Sequence, residues 1–228
     1  MVLYVVATPI GNLEDITTRA LRVLREVDVI ASEDTRETGK LLALFGISKP
    51  LVSYYRGVER QRTEHLIGLL KSGKSVALVC DRGTPGISDP AHYLVSQAHK
   101  ERIPIVPVPG PSALAAALSV SGIEVDRFRF LGFLPKKESA KEKLFDAHQD
   151  REECIVFFES PHRFSKTMGF LAERFPRRRM TVCRELTKKF EEIISGTVNQ
   201  LHEHFSKRPA KGEFVIILEG KQHDDEMV

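Results

Sequence analysis

Four short runs in the first half of the chain, residues 3–7, 29–32, 76–80 and 105–108, are apolar at nearly every position, and they restrict the fold most. A strand with one wet face alternates polar and apolar side chains. These runs do not alternate, so both of their faces must be covered. Between them lie stretches of helical period. Leu13, Ile16, Ala20, Leu21, Leu24 and Val27 share one face, and residues 36–45 and 60–71 read as helices. Strands and helices in alternation predict an α/β domain on a mostly parallel sheet. Asn12 is expected to cap the first helix, with Asp15 in its first turn. Asp89 is expected to cap another, with Pro90 at the first position, where no N–H is needed. Pro109-Gly110-Pro111-Ser112 reads as a turn into a helix that starts at Ala113.

The second half has a different rhythm. Residues 119–126, with Gly122, read as a linker, so the expected domains are 1–118 and 119–228, both α/β. Strands are expected at 128–133, 155–158, 180–184 and 214–218, in a mixed sheet. Ser160 and Pro161 open a helix with Phe164, Met168, Leu171, Ala172 and Phe175 on one face. The acidic tail, residues 223–228, is expected to fray.

Charge does not mark the chain as a basic nucleic-acid domain. There are 34 Lys and Arg against 31 Asp and Glu, a net charge of +3. Any basic surface must come from local clustering. The 3 cysteines, Cys80, Cys154 and Cys183, are odd in number and lack metal-ligand spacing, so they read as buried, reduced thiols. Met1-Val2-Leu3-Tyr4 leads straight into a strand pattern without a basic-then-apolar leader. No apolar run approaches the roughly 18 residues of a membrane helix. The expectation is a cytoplasmic protein.

Ligands on open α/β sheets sit at the carboxyl ends of the strands. Three loops rich in Gly and Pro fall there: 8–12, 81–86 and 109–112. The first, Thr8-Pro9-Ile10-Gly11-Asn12, lacks two glycines of a dinucleotide fingerprint, and no Walker lysine motif is present. Together the loops mark a pocket without naming its ligand.

The runs Leu3-Tyr4-Val5-Val6-Ala7-Thr8-Pro9-Ile10-Gly11-Asn12-Leu13, Ser32-Glu33-Asp34-Thr35-Arg36, Asp81-Arg82-Gly83-Thr84-Pro85-Gly86-Ile87-Ser88-Asp89-Pro90 and Pro109-Gly110-Pro111-Ser112-Ala113 resemble the tetrapyrrole methylase superfamily. Phe157-Phe158-Glu159-Ser160-Pro161-His162-Arg163, Arg184-Glu185-Leu186-Thr187-Lys188-Lys189 and Gly212-Glu213-Phe214 fit one branch of it, the ribosomal RNA small subunit methyltransferase I family. The resemblance runs in order through nearly the whole chain, up to Gly220. It implies two α/β domains with S-adenosylmethionine in the cleft between them, in a homodimer, with no metal. The implied reaction is 2′-O-methylation of a cytidine ribose in the decoding region of 16S rRNA, as free RNA or in the small ribosomal subunit. By the same resemblance Pro9, Asp81, Gly83, Pro85, Ser112 and Ala113 would hold the cofactor. Phe158, Leu186, Gly212 and Phe214 would hold it from the second domain, largely through backbone groups.

A ribose hydroxyl is a poor nucleophile, while a sulfonium methyl is already activated. Orientation should therefore lower much of the barrier, with a general base adding about 10²–10⁴-fold. Glu33, Asp34, Asp81 and Glu159 are the candidate bases at strand ends. Asp34 is preferred, against the alternative that it caps the following helix. Arg36 would fix a phosphate or the base, and Glu159 would act beside Arg163. On the RNA side, Arg163, Arg177, Arg178, Arg179, Lys188 and Lys189 are candidate phosphate contacts, and residues 136–143 form a weaker cluster diluted by Glu138 and Glu142. Phe128, Phe130 and Phe133 either stack on bases or belong to the core. Two rival readings are a small-molecule methylase of the same superfamily and a non-catalytic RNA-binding assembly protein.

Overall fold

The computed structural model describes residues 1–207 and 211–221. Residue contacts divide the chain into two units, Met1–Ser112 and Ala113–Val228. The tail expected to fray lies outside the described residues.

The first unit runs β1 (Val2–Val6), α1 (Thr18–Glu26), β2 (Val29–Ser32), α2 (Thr35–Leu44), β3 (Leu51–Ser53), α3 (Glu59–Lys71), β4 (Ser75–Val79), α4 (His92–Lys100) and β5 (Ile105–Val108). The sheet order is β3-β2-β4-β1-β5 and every pairing is parallel. The absence of alternation in the sequence has its cause here. Leu3, Val29, Ala31, Val76 and Leu78 pack on one side with Leu66 and Leu70 of α3 and Leu94 of α4. Val6, Ile30, Ala77, Val79 and Val108 pack on the other with Ala20, Val23 and Leu24 of α1 and Leu42 of α2.

Two helix starts differ from expectation. Asn12 caps only a single 3-10 turn, Leu13–Asp15, by accepting from the Glu14 amide. Ile16 is extended, and Thr17 then opens α1 by accepting from the Ala20 amide at 3.0 Å. A second good capping residue five positions on thus restarts the helix. Likewise α4 begins at His92, behind Ala91 and without a side-chain cap, rather than at Asp89 and Pro90. Asp89 instead lies near the buried Cys80 thiol, whose hydrogen bonds go to the Arg82 and Gly83 carbonyls.

The second unit runs α5 (Ala113–Val120), β6 (Phe128–Phe133), α6 (Glu138–Asp146), β7 (Cys154–Glu159), α7 (Pro161–Arg174), β8 (Arg179–Arg184), β9 (Glu192–Thr197), α8 (Val198–Ser206) and β10 (Phe214–Leu218). Its order is β6-β7-β10-β8-β9. The β6–β7 pair is parallel and the other three are antiparallel, so the sheet is mixed. One face buries Phe157, Val182, Phe214 and Ile216 against Phe145, Phe164, Leu171 and Phe205 of α6, α7 and α8. Phe164 and Phe214 stack at 3.9 Å, and truncating either would cost about 3–5 kcal/mol. Helix α5 packs on β10, which joins it to this unit. Strands β3 and β9 and helix α8 had no place in the sequence reading. Thr197 and Gln200 form a full capping box at the start of α8, a signal that Thr-Val-Asn-Gln carries in the sequence. Among the described residues no helix is long and apolar enough to cross a membrane.

Candidate active site

In the first unit, β4, β1 and β5 are neighbours, so the loops after them meet at one sheet edge. Thr8 and Gly83 form an antiparallel bridge, with N–H to O distances of 2.9 and 3.0 Å. The Thr8 hydroxyl also donates to the Cys80 carbonyl at 3.1 Å, and the Thr84 hydroxyl to the Pro111 carbonyl at 3.1 Å. Gly83 has φ +82°, and a methyl group there would lie 3.3 Å from Ile10 Cγ2. A methyl at Gly110 would lie 3.1 Å from Ala7 Cβ. Both glycines keep backbone accessible where side chains would crowd it. Pro9 and Pro85 are buried and stiffen the same edge; Ser112 closes it, and Ala113 starts α5.

Beside these loops, the residues after β2 divide into two kinds. Asp34 caps α2, accepting from the Arg36 amide at 2.8 Å. Its two oxygens also take the Arg36 guanidinium, at 3.1 and 2.7 Å. Arg36 side-chain and backbone donors hold the Asp34 carboxyl far below the usual carboxylate range. That makes it a weak proton acceptor, and capping is the role its geometry fills. Arg36 remains 83% exposed and keeps its charge. Asp81 accepts from the Asp34 amide at 2.9 Å and so ties the β4 loop to the end of β2.

Glu33 is different: half-buried, it has no hydrogen-bond partner among the described residues. Burial, then the carboxylates of Asp89 and Asp81, push its pKa up against the pull of Arg56. Asp89 is raised by burial too. Among the described residues, no group of His, Cys, Asp and Glu is arranged to hold a metal ion. The three cysteines are free and buried, and burial pushes the Cys183 thiol up to about 12.

In the second unit the residues after β8 and before β10 are tied together by charge. The Glu185 amide donates to the Glu213 carbonyl at 2.9 Å, and the Glu213 amide donates back to Glu185 Oε1 at 2.9 Å. Lys188 Nζ reaches Glu185 and Glu213, both at 2.8 Å. Gly212 has φ +94°, and a Cβ there would overlap the Glu185 side chain. Glu185 and Thr187 hold φ of +50° and +66° without being glycine, a strain that concentrates at binding loops. Leu186 and Phe214 are buried, so any ligand contact there runs through backbone. Phe158 is half-buried, with Phe130 and Phe133 edge-on at 4.9 and 5.6 Å.

Glu159 is buried among donors of its own unit. Its side chain is 1% exposed, and it accepts from Arg163 at 2.8 Å, the Ser160 amide at 2.8 Å and Thr167 at 2.7 Å. The basic candidates separate as well. Arg163 is spent on Glu159 and the Leu134 carbonyl, Arg178 on the Gln149 carbonyl and the Phe175 ring, and Lys188 on its two glutamates. Lys141 in the weaker cluster is buried over Phe170. Arg177, Arg179 and Lys189 are exposed and make no ion pair among the described residues.

Residues 2–202 match the model of the Tetrapyrrole (Corrin/Porphyrin) Methylases. The chain is 43% identical over 218 residues to a Ribosomal RNA small subunit methyltransferase I of Halalkalibacterium halodurans, covering 96% of this chain and 75% of that protein. It is 44% identical over 220 residues to the protein of that name from Thermotoga maritima, covering 96% and 99%. The chain belongs to the ribosomal RNA small subunit methyltransferase I family. Among solved structures, diphthine synthase superposes with a TM-score of 0.76 at 17% identity, over 97% of this chain and 91% of that one. A uroporphyrin-III-C-methyltransferase from Thermus thermophilus gives 0.65 at 22%, over 95% and 93%. At such identities these two establish the fold that this family member shares with them. The Asp81, Gly83 and Glu185 loops described above are thus the loops of a methylase fold.

Proposed function

We propose that this chain methylates the ribose 2′-hydroxyl of a cytidine in the decoding region of 16S rRNA, with S-adenosylmethionine as donor. The observation that carries the reading is the similarity to rRNA small subunit methyltransferase I proteins along 96% of the chain. The loop architecture fits the donor: two crowded glycines, Gly83 and Gly110, present backbone rather than side chains at the carboxyl ends of the strands. Pro9, Asp81, Gly83, Pro85 and Ser112 would hold it from the first unit. Ala113, Phe158, Leu186, Gly212 and Phe214 would hold it from the second. S-adenosylmethionine supplies a methyl carbon already activated by its sulfonium.

The protein's task is then to orient the ribose and take one proton. Orientation of well-aligned groups is worth roughly 7–11 kcal/mol in favourable cases. Glu33 is the carboxylate suited to the proton, because it has no hydrogen-bond partner among the described residues and burial raises its pKa above the ordinary carboxylate value. Asp34 keeps the loop in place and holds Arg36, whose exposed guanidinium would fix a substrate phosphate. Arg177, Arg179 and Lys189 supply the open cationic groups for RNA.

Calorimetry with the donor, alone and with small-subunit rRNA, tests the reading. Binding of both is expected, with RNA affinity falling steeply as salt rises. Donor binding without salt-sensitive RNA affinity would favour a small-molecule methylase, and no donor binding would favour a non-catalytic protein.

A further inference from the structure

Lys188 and Lys189 are adjacent in sequence and opposite in use. Lys188 is 19% exposed and neutralised by Glu185 and Glu213. Around it the turn closes on itself. The Lys188 amide donates to the Glu185 carbonyl at 3.0 Å, and the Glu191 amide donates to the Lys188 carbonyl at 3.0 Å. The Thr187 amide donates to Glu191 Oε2 at 2.5 Å, which turns that carboxylate back onto the loop. A turn tied at this many points is pre-organised.

What it projects is a bare aromatic ring. Phe190 is 67% exposed, the most exposed of the large apolar side chains among the described residues. Leaving a Phe in water forgoes about 1.5–3 kcal/mol of burial. The Lys189 ammonium sits 5.8 Å from the ring centroid and has no carboxylate partner among the described residues. The other exposed phenylalanine near a candidate loop, Phe133, leans edge-on against Phe158, so one side of its ring is already engaged.

We infer that Phe190 and Lys189 form a stacking platform for an unstacked base of single-stranded RNA. A ring offers a π-face that any base can cover, and a neighbouring cation takes the adjoining phosphate. The turn that carries the ring is already tied, so little backbone order is lost on binding. A protein partner fits less well, because lysine is depleted from the apolar cores of protein interfaces. This rests on the rRNA reading above and adds to it a residue that grips the substrate.

The experiment measures small-subunit rRNA affinity, the Michaelis constants for RNA and donor, and sedimentation for the wild-type chain, Phe190→Ala, Phe190→Tyr and Lys189→Gln. Phe190→Ala is expected to weaken RNA binding by roughly 5- to 100-fold and raise KM for RNA, with KM for the donor unchanged. Phe190→Tyr, which keeps the ring, should restore both. Lys189→Gln should flatten the dependence of log affinity on log salt by about 0.7, the share of one phosphate on a single strand. RNA affinity unchanged in Phe190→Ala would overturn the inference. So would a shift in assembly state with RNA affinity unchanged, which would assign the ring to a second copy of the chain. If the wild-type chain neither binds nor methylates rRNA, the rRNA reading itself fails, a result distinct from either.

Discussion

The two units close their candidate loops by different physics. The first uses backbone: the Thr8–Gly83 bridge, the Thr84 hydroxyl on the Pro111 carbonyl, and two glycines fitted against Ile10 and Ala7. The second uses charge: Lys188 between Glu185 and Glu213, with Gly212 tucked under the Glu185 side chain. Backbone closure is indifferent to salt and pH, whereas charge closure is not. The comparison teaches that loops of one fold can be closed chiefly by uncharged bonds in one unit and chiefly by ion pairs in the other.

Four substitutions sharpen or break this contrast. The largest effect is expected at the base. Glu33→Gln should lower turnover about 10²-fold or more, with donor affinity unchanged, in single-turnover assays. The same change should stabilise the protein. A carboxyl whose pKa is raised in the fold costs nothing below its ordinary 4.5, and the cost appears as pH rises through the folded value. Thermal melts should therefore show Glu33→Gln above wild type at pH 7 and level with it below pH 4.5. In wild type, activity should rise with pH through that raised value.

Next comes Gly83→Ala. It places a side chain at φ +82° and 3.3 Å from Ile10, a strain of about 1–3 kcal/mol. Donor affinity should fall roughly 10- to 100-fold by calorimetry, equally at low and high salt.

Glu185→Ala should weaken donor binding about 10-fold and leave Lys188 with one partner. Here the loss should shrink as salt rises, because screening already loosens the wild-type pair. An equal loss at all salts would erase the distinction between the two loop clusters.

The smallest effect is expected from Asp34→Asn, which keeps a capping side chain but removes the charge facing Arg36. Asp34 has a lowered folded pKa, so its contribution is complete above its ordinary 3.8 and fades as pH falls toward the folded value. Wild type and variant should differ slightly at pH 7 in thermal melts and converge in acid.

Legibility followed the same divide. The first sheet could be read because buried parallel strands leave continuous apolar runs, and its loops because glycine and proline announce turns. The Asp34 cap was open as one of two readings; the structure shows the cap in place, and the pairing of both carboxylate oxygens with Arg36 has no signal in the sequence. The Glu159–Arg163 pairing could be read because the two stand four residues apart at a helix start, whereas the Thr167 hydroxyl on the same carboxylate could not. The link from Lys188 to Glu213 spans 25 residues and leaves no local trace. Phe190 escaped notice because an aromatic next to a strand pattern reads as core, and only its exposure marks it otherwise. Strand β9 was missed for a related reason: Glu192–Thr197 is an edge strand with no fully buried residue and two short polar residues.

The most direct test of the account is methyl transfer from labelled S-adenosylmethionine to small ribosomal subunits and to naked 16S rRNA, followed by nuclease mapping. The account predicts label on a single cytidine ribose in the decoding region, lost in Glu33→Gln and retained in Asp34→Asn. Label on a base, or no label on either substrate despite tight donor binding, would contradict it.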